Sequence, residues 1–524
     1  MTNIKRVFTV NGQPFYPVGG ESCNSSGYND KESEAAFKGT KLLHGNTLEI
    51  PVYWEQVEPK EGKFDFTGVD ALLASARRYE VKLILLWFAT WKNGNMDYVP
   101  AWVKSDPKRF RRTVDAQGNA LWNLSPHCKA SLAADSKAFA ALCKHLKTKD
   151  TTQKTVIALQ VQNEPDVVGS NRDYSAEGTA ALNSPVPAKL IADIKKQGKG
   201  PVYELWKKAG SKKSGTWREL FGSSGEVDYF HYTWSLARYI DGVAEAGKAV
   251  YDIPMFINLW LKGKHNETEM RMDFFHWATP HVDLIAPDNY RHDPRGFEDI
   301  CAIHSREDNP FFMPETNGDQ LMFRAVADYN LIGYFFYGVE HHIIARDGSL
   351  RPESEPLFDR VRCIASITPL LLKYQGTGKI HAIVPDEHMP FQRLDFDGYT
   401  GSVEFGDKVP VYVSKDWRHR AGASTVPREL TTNKSGGGLI IQADRHEFYV
   451  VGSNYRLFMQ SKTGPDKIRG LSTVGEAHFI SVEEGHFNEK GEFVADRRRN
   501  GDEIGHRGLW VESDIGVLRV ITCD

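Results

Sequence analysis

The chain has 524 residues, with 65 Lys+Arg against 68 Asp+Glu and a formal net charge of −3, so no global field would hold it to nucleic acid or to an anionic membrane. Hydrophobic residues at 41% and charged residues at 25% describe a soluble globular protein with ample core, and the length suggests two domains. The opening MTNIKRVFTVNGQPFYPVGG has no apolar h-region and no run of 18 apolar residues occurs, so the expected location is cytoplasmic, or periplasmic or secreted if a leader has been trimmed.

Along the first 370 or so residues, strand-like and helix-like segments alternate, the pattern of a parallel sheet wrapped by helices. In chain order the strand candidates are Phe15–Gly19, Asn46–Val52, Lys82–Phe88, Val156–Gln162, Pro254–Leu259, Val282–Pro287, Pro310–Pro314 and Leu331–Tyr337. Most are apolar on both faces, as strands covered on both sides must be. Helical periodicity falls between them, at Val69, Leu72, Leu73 and Ala76, at Phe139, Leu142, Cys143 and Leu146, and at Leu236, Ile240 and Val243, with Thr67 and Asp70 spaced as a capping box. Eight such units predict a TIM-type eight-stranded β/α barrel, and no Gly-rich phosphate loop follows any strand.

Two connections exceed ordinary loops: about 89–134 after the third strand and about 166–227 after the fourth. The second carries IKKQGKGP and KKAGSKKSG, which read as a solvated surface insertion, with a wall over the barrel mouth as the alternative. Beyond SEPLFDRVRCIASITPLLLKY the character changes to short β-branched and aromatic runs, KIHAIV, PVYVS, GGLIIQA, HEFYVVGS, YRLFMQ, EAHFISV, GLWVES and GVLRVIT, separated by turns. The prediction is a catalytic barrel over 1–375, with long loops after strands three and four, followed by a smaller all-β sandwich over 376–524. Its DRRRNGDE stretch reads as a solvated loop. The six cysteines, Cys23, Cys128, Cys143, Cys301, Cys363 and Cys523, have no zinc-like spacing and are expected to be mostly buried free thiols.

Catalytic groups of such barrels project from the C-terminal strand ends. Glu164 ends strand four in VIALQVQNEP, and Glu315 ends strand seven in NPFFMPETNGD. A carboxylate at the end of a buried strand is costly unless it has a partner, a metal or a reaction. Two facing each other are what glycosidic bond cleavage needs: one protonated for the leaving oxygen, the other charged to attack or stabilise the anomeric carbon. Their separation decides between retention and inversion.

Asn163-Glu164-Pro165 closing strand four, together with Glu315 closing strand seven, resembles clan A of the glycoside hydrolases. Within that clan, GNTLEIPVYWEQVEPKEGKFDFTGVDALL, Pro100-Ala101-Trp102 and QVQNE resemble family 35, the β-galactosidases, and the C-terminal region is similar to the small sandwich of its bacterial members. The resemblance implies a retaining enzyme with Glu164 as acid/base, Glu315 as nucleophile, Asn163 on the sugar 2-hydroxyl and no cofactor or metal. It also implies that Tyr290, in APDNY with Asn289, positions the nucleophile, a barrel-rim aromatic being the alternative. The sequence departs from the family at Pro51-Val52-Tyr53-Trp54, at Val57-Glu58-Pro59 and at Ala89-Thr90-Trp91, where an acidic sugar ligand is missing.

Tyr53, Asn289, Trp87, Trp91 and Trp260 are further candidates for substrate contact, the tryptophans as sugar platforms or as packing for loops. Glu21, Glu49, Glu55, Glu58 and Glu61 are additional carboxylates near strands one and two, and Asp288 suits either a salt bridge or substrate. His341-His342 on an extended chain would point to opposite faces, which argues against a metal. The expected function is an exo-acting, β-galactosidase-like hydrolase of a glycoside or oligosaccharide, with the long loops walling the mouth. A transglycosidase using the same pair and a non-catalytic carbohydrate-binding barrel are the alternatives, and assembly as a homo-oligomer is left open.

Overall fold

In the computed structural model, residues 7–152, 154–261, 265–318, 321–345, 347–386, 391–405, 408–410, 425–427, 436–462, 478–501, 504, 508–512 and 516–523 are described. Eight parallel strands close on themselves in sequence order: β1 (Val18–Glu21), β2 (Thr47–Tyr53), β3 (Lys82–Lys92), β4 (Val156–Asn163), β5 (Met255–Trp260), β6 (Leu284–Asp288), β7 (Met313–Thr316) and β8 (Tyr334–Tyr337). The main helices that follow them are α1 (Asp30–Leu42), α2 (Thr67–Tyr79), α3 (Lys129–Asp150), α4 (Gly225–Lys248), α5 (His265–Ala278), α6 (Pro294–His304), α7 (Met322–Asp328) and α8 (Glu355–Ser366). The residues with helical period lie on the buried faces of α2, α3 and α4. Thr67 is the first residue of α2 rather than its cap, and its amide donates to Asp65 Oδ1 at 2.9 Å.

Strand alternation decides what faces the barrel interior. On β3, Ile84, Leu86 and Phe88 join Phe256, Ala286, Phe312 and Phe335 inside, whereas Leu83, Leu85 and Trp87 join the layer beneath the helices. On β2, Leu48, Ile50 and Val52 face the helices and Tyr53 faces inward. The first strand starts later than the sequence suggests. Phe15 belongs to a hairpin of Phe8–Val10 with Gln13–Phe15, and Phe8 meets Phe312 edge-on at 5.3 Å, filling the interior from the N-terminal ends of the strands.

The insertion after β4 is not a solvated loop. Its helices Ala176–Leu182, Ala188–Gln197, Pro201–Lys208 and Trp217–Phe221 enclose Leu190, Ile194, Val202, Trp206, Trp217 and Leu220, packed on Phe230 of α4 and on Phe274 and Trp277 of α5. Its basic, Gly-rich stretches are the helix ends and turns of a small core.

After helix α9 (Thr368–Tyr374) come β9 (Ile380–Ile383), β10 (Phe391–Asp395), β11 (Tyr399–Phe405), β12 (Gly437–Asp444), β13 (Glu447–Ser453), β14 (Tyr455–Ser461), β15 (His478–Phe487), β16 (Phe493–Arg499), β17 (Leu509–Val511) and β18 (Val517–Cys523). They form a six-stranded sheet ordered β9-β12-β13-β18-β15-β16 and a four-stranded sheet ordered β10-β11-β14-β17. Between them lie Ile383, Phe396, Tyr399, Ile440, Phe448, Val450, Tyr455 and Leu457, a sandwich core. Of PVYVS only Pro410 lies within the described residues, and EAHFISV is described from His478. In DRRRNGDE, residues 502–503 lie outside them, and Arg499 is buried in a strand, its Nε 2.6 Å from Glu484 Oε1 and its Nη1 donating to the Trp510 carbonyl at 2.7 Å. All six cysteines are free thiols, four of them buried. Among the described residues no helix is long and apolar enough to cross a membrane.

Closure of the barrel depends on Gly19, where a Cβ would lie 1.8 Å from the Thr47 carbonyl oxygen of the neighbouring strand. Gly19→Ala should therefore force β1 from β2 at a cost above about 3 kcal/mol. The expected result is a large fall in soluble yield and in the urea midpoint; an unchanged midpoint would contradict this packing.

Candidate active site

β4 delivers its last residues through a strained backbone. Gln162 at φ 67° and Glu164 at φ 43° both occupy the left-handed region, which costs non-glycine residues on the order of 1–3 kcal/mol. Gln162 turns away from the mouth, where its Nε2 donates to Asp135 Oδ2 of α3 at 2.7 Å and its Oε1 accepts from the Trp91 amide at 3.0 Å. Asn163 and Glu164 are thereby directed into the mouth. Asn163 Oδ1 accepts from Lys92 Nζ at 2.7 Å, and its Nδ2 has no partner among the described residues. Glu164 Oε2 accepts from Asn93 Nδ2 at 2.6 Å, and the Glu164 amide donates to Asn258 Oδ1 of β5 at 3.0 Å.

Across the barrel, Glu315 of β7 sits in register beside Asp288 of β6. The two strand ends are laced together by the Asn289 amide to the Glu315 carbonyl at 3.0 Å and by Thr316 Oγ1 to the Asn289 carbonyl at 2.7 Å. Tyr290 donates its hydroxyl to Glu315 Oε1 at 2.6 Å, while Oε2 is buried with no partner among the described residues. Asn258 joins the two sides, its Nδ2 donating to Asp288 Oδ2 at 2.7 Å. Glu164, Asp288 and Glu315 bring carboxylate oxygens within 4.8 Å of one another.

Five buried carboxyls gather here, because Glu21 and Glu49 point inward from β1 and β2. Burial, reinforced by the Glu315 charge, raises Glu164 to about 7, with Lys92, a hydrogen bond from Asp288, and Arg271 opposing. The same causes, burial and then Glu315, hold Asp288 well above the ordinary carboxyl range, and its bond to Glu164 adds to the rise.

The structure separates the sequence candidates. Tyr290 and Asn163 join the two glutamates. Trp260 ends β5 half-exposed, in register with Asp288, its carbonyl held by Arg271. Trp87 and Trp91 do not face the mouth: Trp87 donates to Asp135 Oδ1 at 2.9 Å and packs on Phe139, and Trp91 meets Tyr239 edge-on at 4.7 Å, so both are packing between barrel and helices. Thr90 lies on the same outer side, donating to Asp135 Oδ2 at 2.6 Å.

Tyr53 faces inward but is roofed by a loop. It stacks on Tyr28 at 3.8 Å, donates to the Asn24 carbonyl at 2.7 Å and accepts from the Gly27 amide at 3.1 Å. Asn289 spends its side chain locally, accepting from the Arg291 amide at 3.1 Å and donating to the Phe297 carbonyl at 3.4 Å. His341 and His342 lie on a helical turn, Val339–His342, rather than on an extended chain.

Lys92, Asn93, Asn258 and Arg271 were not singled out from the sequence. The signal for two of them was present: a lysine closing the apolar run LILLWFATWK, and an asparagine inside MFINLW. Trp122, exposed on the loop after β3, is also new; Asp97 Oδ1 accepts from its indole at 2.7 Å and Arg112 stacks 4.8 Å from its ring. The Glu164, Asp288 and Glu315 oxygens are close enough to share a cation, as are ligand atoms of Cys23, Glu340 and His341. Around the first group, however, the partners are the donors Asn93, Asn258 and Tyr290, an arrangement suited to carboxylates that hold and pass protons.

Residues 361–511 match a domain of unknown function, DUF5597. No curated protein matches the chain. Among solved structures, the catalytic domain of a β-amylase from Paenibacillus polymyxa is 13% identical, covering 66% of this chain and 96% of its own, at a TM-score of 0.45. A β-galactosidase from Bacillus circulans sp. alkalophilus is 16% identical over 61% of this chain and 50% of its own, at 0.41. A cold-adapted β-galactosidase from Rahnella sp. R3 is 16% identical over 71% and 58%, at 0.46. The chain thus spans between half and three fifths of the length of these two β-galactosidases. Residues 29–313, more than half of the chain, match the glycoside hydrolase family 42 model, described as β-galactosidase; the match includes Glu164 and stops two residues before Glu315. The chain belongs to glycoside hydrolase family 42, in clan A as its strand ends suggested, rather than to family 35, which its second-strand segment resembles.

Proposed function

We propose that the protein is a retaining, exo-acting, β-galactosidase-like glycoside hydrolase that removes a non-reducing terminal sugar by double displacement, with Glu164 as acid/base and Glu315 as nucleophile. The catalytic unit in this reading is the barrel, 1–375, and 376–524 is an accessory sandwich. The observation that carries the mechanism is the proximity of the two glutamates, one oxygen of each lying within 4.8 Å of the other. Such closeness favours the roughly 5–5.5 Å between carboxyl groups typical of retention over the roughly 6.5–9.5 Å of inversion.

In the first step Glu315 attacks the anomeric carbon while Glu164 gives its proton to the glycosidic oxygen, the alcohol leaves and a glycosyl ester forms on Glu315. In the second, the Glu164 carboxylate takes a proton from water, whose oxygen attacks the same carbon and releases Glu315, restoring the original anomeric configuration. A Glu164 carboxyl raised to about 7 serves both halves, because it can give and take a proton near neutral pH. Tyr290 holds Glu315 through Oε1, and the unpartnered Oε2 is the atom left to attack. Asn163 Nδ2, likewise unpartnered, is placed for the sugar 2-hydroxyl while Lys92 fixes its other end. Asn93, reaching Glu164 from the loop after β3, supports a walled, exo-type pocket.

Glu315→Ala should lower turnover of aryl β-galactosides by on the order of 10³-fold or more. Azide should restore part of it and yield the α-glycosyl azide, seen by NMR; wild-type turnover would sink the assignment. Glu164→Ala should lose about 10²–10⁴-fold on substrates with poor leaving groups and far less on activated aryl glycosides, since only the former need the proton. An equal loss on both would remove Glu164 as the acid.

The pH profile has a determined sign. Glu164 is active as an acid only while protonated, so kcat/KM for a poor leaving group should fall as pH rises through about 7. Lys92 lowers the Glu164 value, so Lys92→Met should move this alkaline limb to higher pH. A limb unmoved by that change would dissociate it from Glu164.

A further inference from the structure

Glu21 and Glu49 stand directly opposite each other on β1 and β2, Cα partners in the parallel ladder. Alternation turns Glu49 inward between Leu48 and Ile50, which face the helices. The two residues are 1% and 0% exposed, and none of their four carboxyl oxygens has a hydrogen-bond partner among the described residues. A fold that buries unpartnered carboxyls this completely leaves their hydrogen bonds to a ligand. Their position narrows the choice. In the closed barrel only β8 separates β1 from β7, the strand of Glu315, and Glu21 at the end of β1 is in register with Tyr337 at the end of β8. The pair therefore lines the wall of the pocket between the strands that carry Glu315 and Glu164.

We propose that Glu21 and Glu49 determine sugar specificity by hydrogen-bonding hydroxyls of the terminal sugar remote from the scissile bond, at C3, C4 or C6. This rests on the mouth being a glycosidase site. It also supplies from strands one and two the acidic ligand that Thr90 cannot provide from the helix side of strand three. Burial and the Glu315 charge hold both carboxyls well above their usual range. That direction favours the neutral acid, which donates from one oxygen and accepts at the other and so matches a hydroxyl that does both. An ammonium group offers only donors and needs an ionised partner.

The test crosses residue with hydroxyl. kcat/KM is measured for the preferred p-nitrophenyl β-glycoside and its 3-, 4- and 6-deoxy analogues, with wild type, Glu21→Gln, Glu49→Gln and the double variant. Removing the recognised hydroxyl should cost wild type about 10- to 100-fold. The same removal should cost the matching variant less than about 3-fold, while both variants unfold at or above the wild-type temperature because a buried acid has become an amide. Equal factors for every analogue in wild type and variants would overturn the proposal, as would variants that keep wild-type kcat/KM or that lose activity only in proportion to a lowered Tm. A wild-type preference for an amino-sugar glycoside, lost in the variants, would overturn it in favour of charge pairing. Glu315→Ala, assayed in parallel, separates the two questions: if it stays active while the cycle shows coupling, sugar recognition stands and the catalytic assignment falls.

Discussion

Burying five carboxyl groups at one end of a closed barrel is the constraint that organises this molecule. Glu21, Glu49, Glu164, Asp288 and Glu315 come from five different strands, and the barrel that places them also removes the water that would solvate their charges. Lys92 and Arg271 oppose the rise, but burial and the mutual charge of the set outweigh them at Glu21, Glu164 and Asp288, whose carboxyls are all raised. Burial raises Asp288 well above the ordinary carboxyl range and Glu164 to about 7, and the Glu315 carboxylate accepts from the Tyr290 hydroxyl.

Those shifts are useful only if the groups are fixed, and the outer face of the barrel does much of the fixing. Asp135 on α3 gathers Trp87, Thr90 and Gln162, and so anchors the ends of β3 and β4 from behind. With Gln162 held outward, the following residues pass through a left-handed turn that aims Glu164 at the mouth, and Asn258 locks the Glu164 amide to the Asp288 carboxyl. The backbone strain at Glu164 is offset by contacts made elsewhere, so the geometry of the proposed catalytic pair is built into the fold.

Strand order, barrel closure and the carboxylates at the ends of β4 and β7 were legible because each depends on local pattern: apolar runs of strand length, and a polar residue where the run stops. The face on which a strand-end aromatic lies was not legible in the same way. Trp87 differs from an inward residue by one position of alternation, and the phase is set only when Ile84, Leu86 and Phe88 meet the barrel interior. Tyr53 had the right phase but was lost to a loop from β1 that stacks Tyr28 upon it, a contact between distant segments that no local pattern encodes. Lys92 and Asn258 were overlooked for the converse reason: single polar residues in apolar runs read as interruptions until their partners across the barrel are known. The basic insertion after β4 misled by composition, since its lysines mark helix ends around a core of Leu190, Ile194, Trp206 and Trp217.

The C-terminal sandwich is joined to the barrel more closely than a flexible attachment requires. One face of its six-stranded sheet, with Ile380, Leu439, Ile441 and Val451, shares a continuous core with Leu357, Val361 and Ile364 of α8, and its other face packs on the second sheet. The match to the domain of unknown function begins at residue 361, inside α8, so that match takes in part of a helix of the barrel wall as well as the sandwich. α8 follows β8 and packs against β1, the strand that carries Glu21. A sheet that covers this helix therefore supports the wall behind the proposed sugar-recognition pair, which gives the second domain a physical role in the first whether or not it binds a ligand of its own.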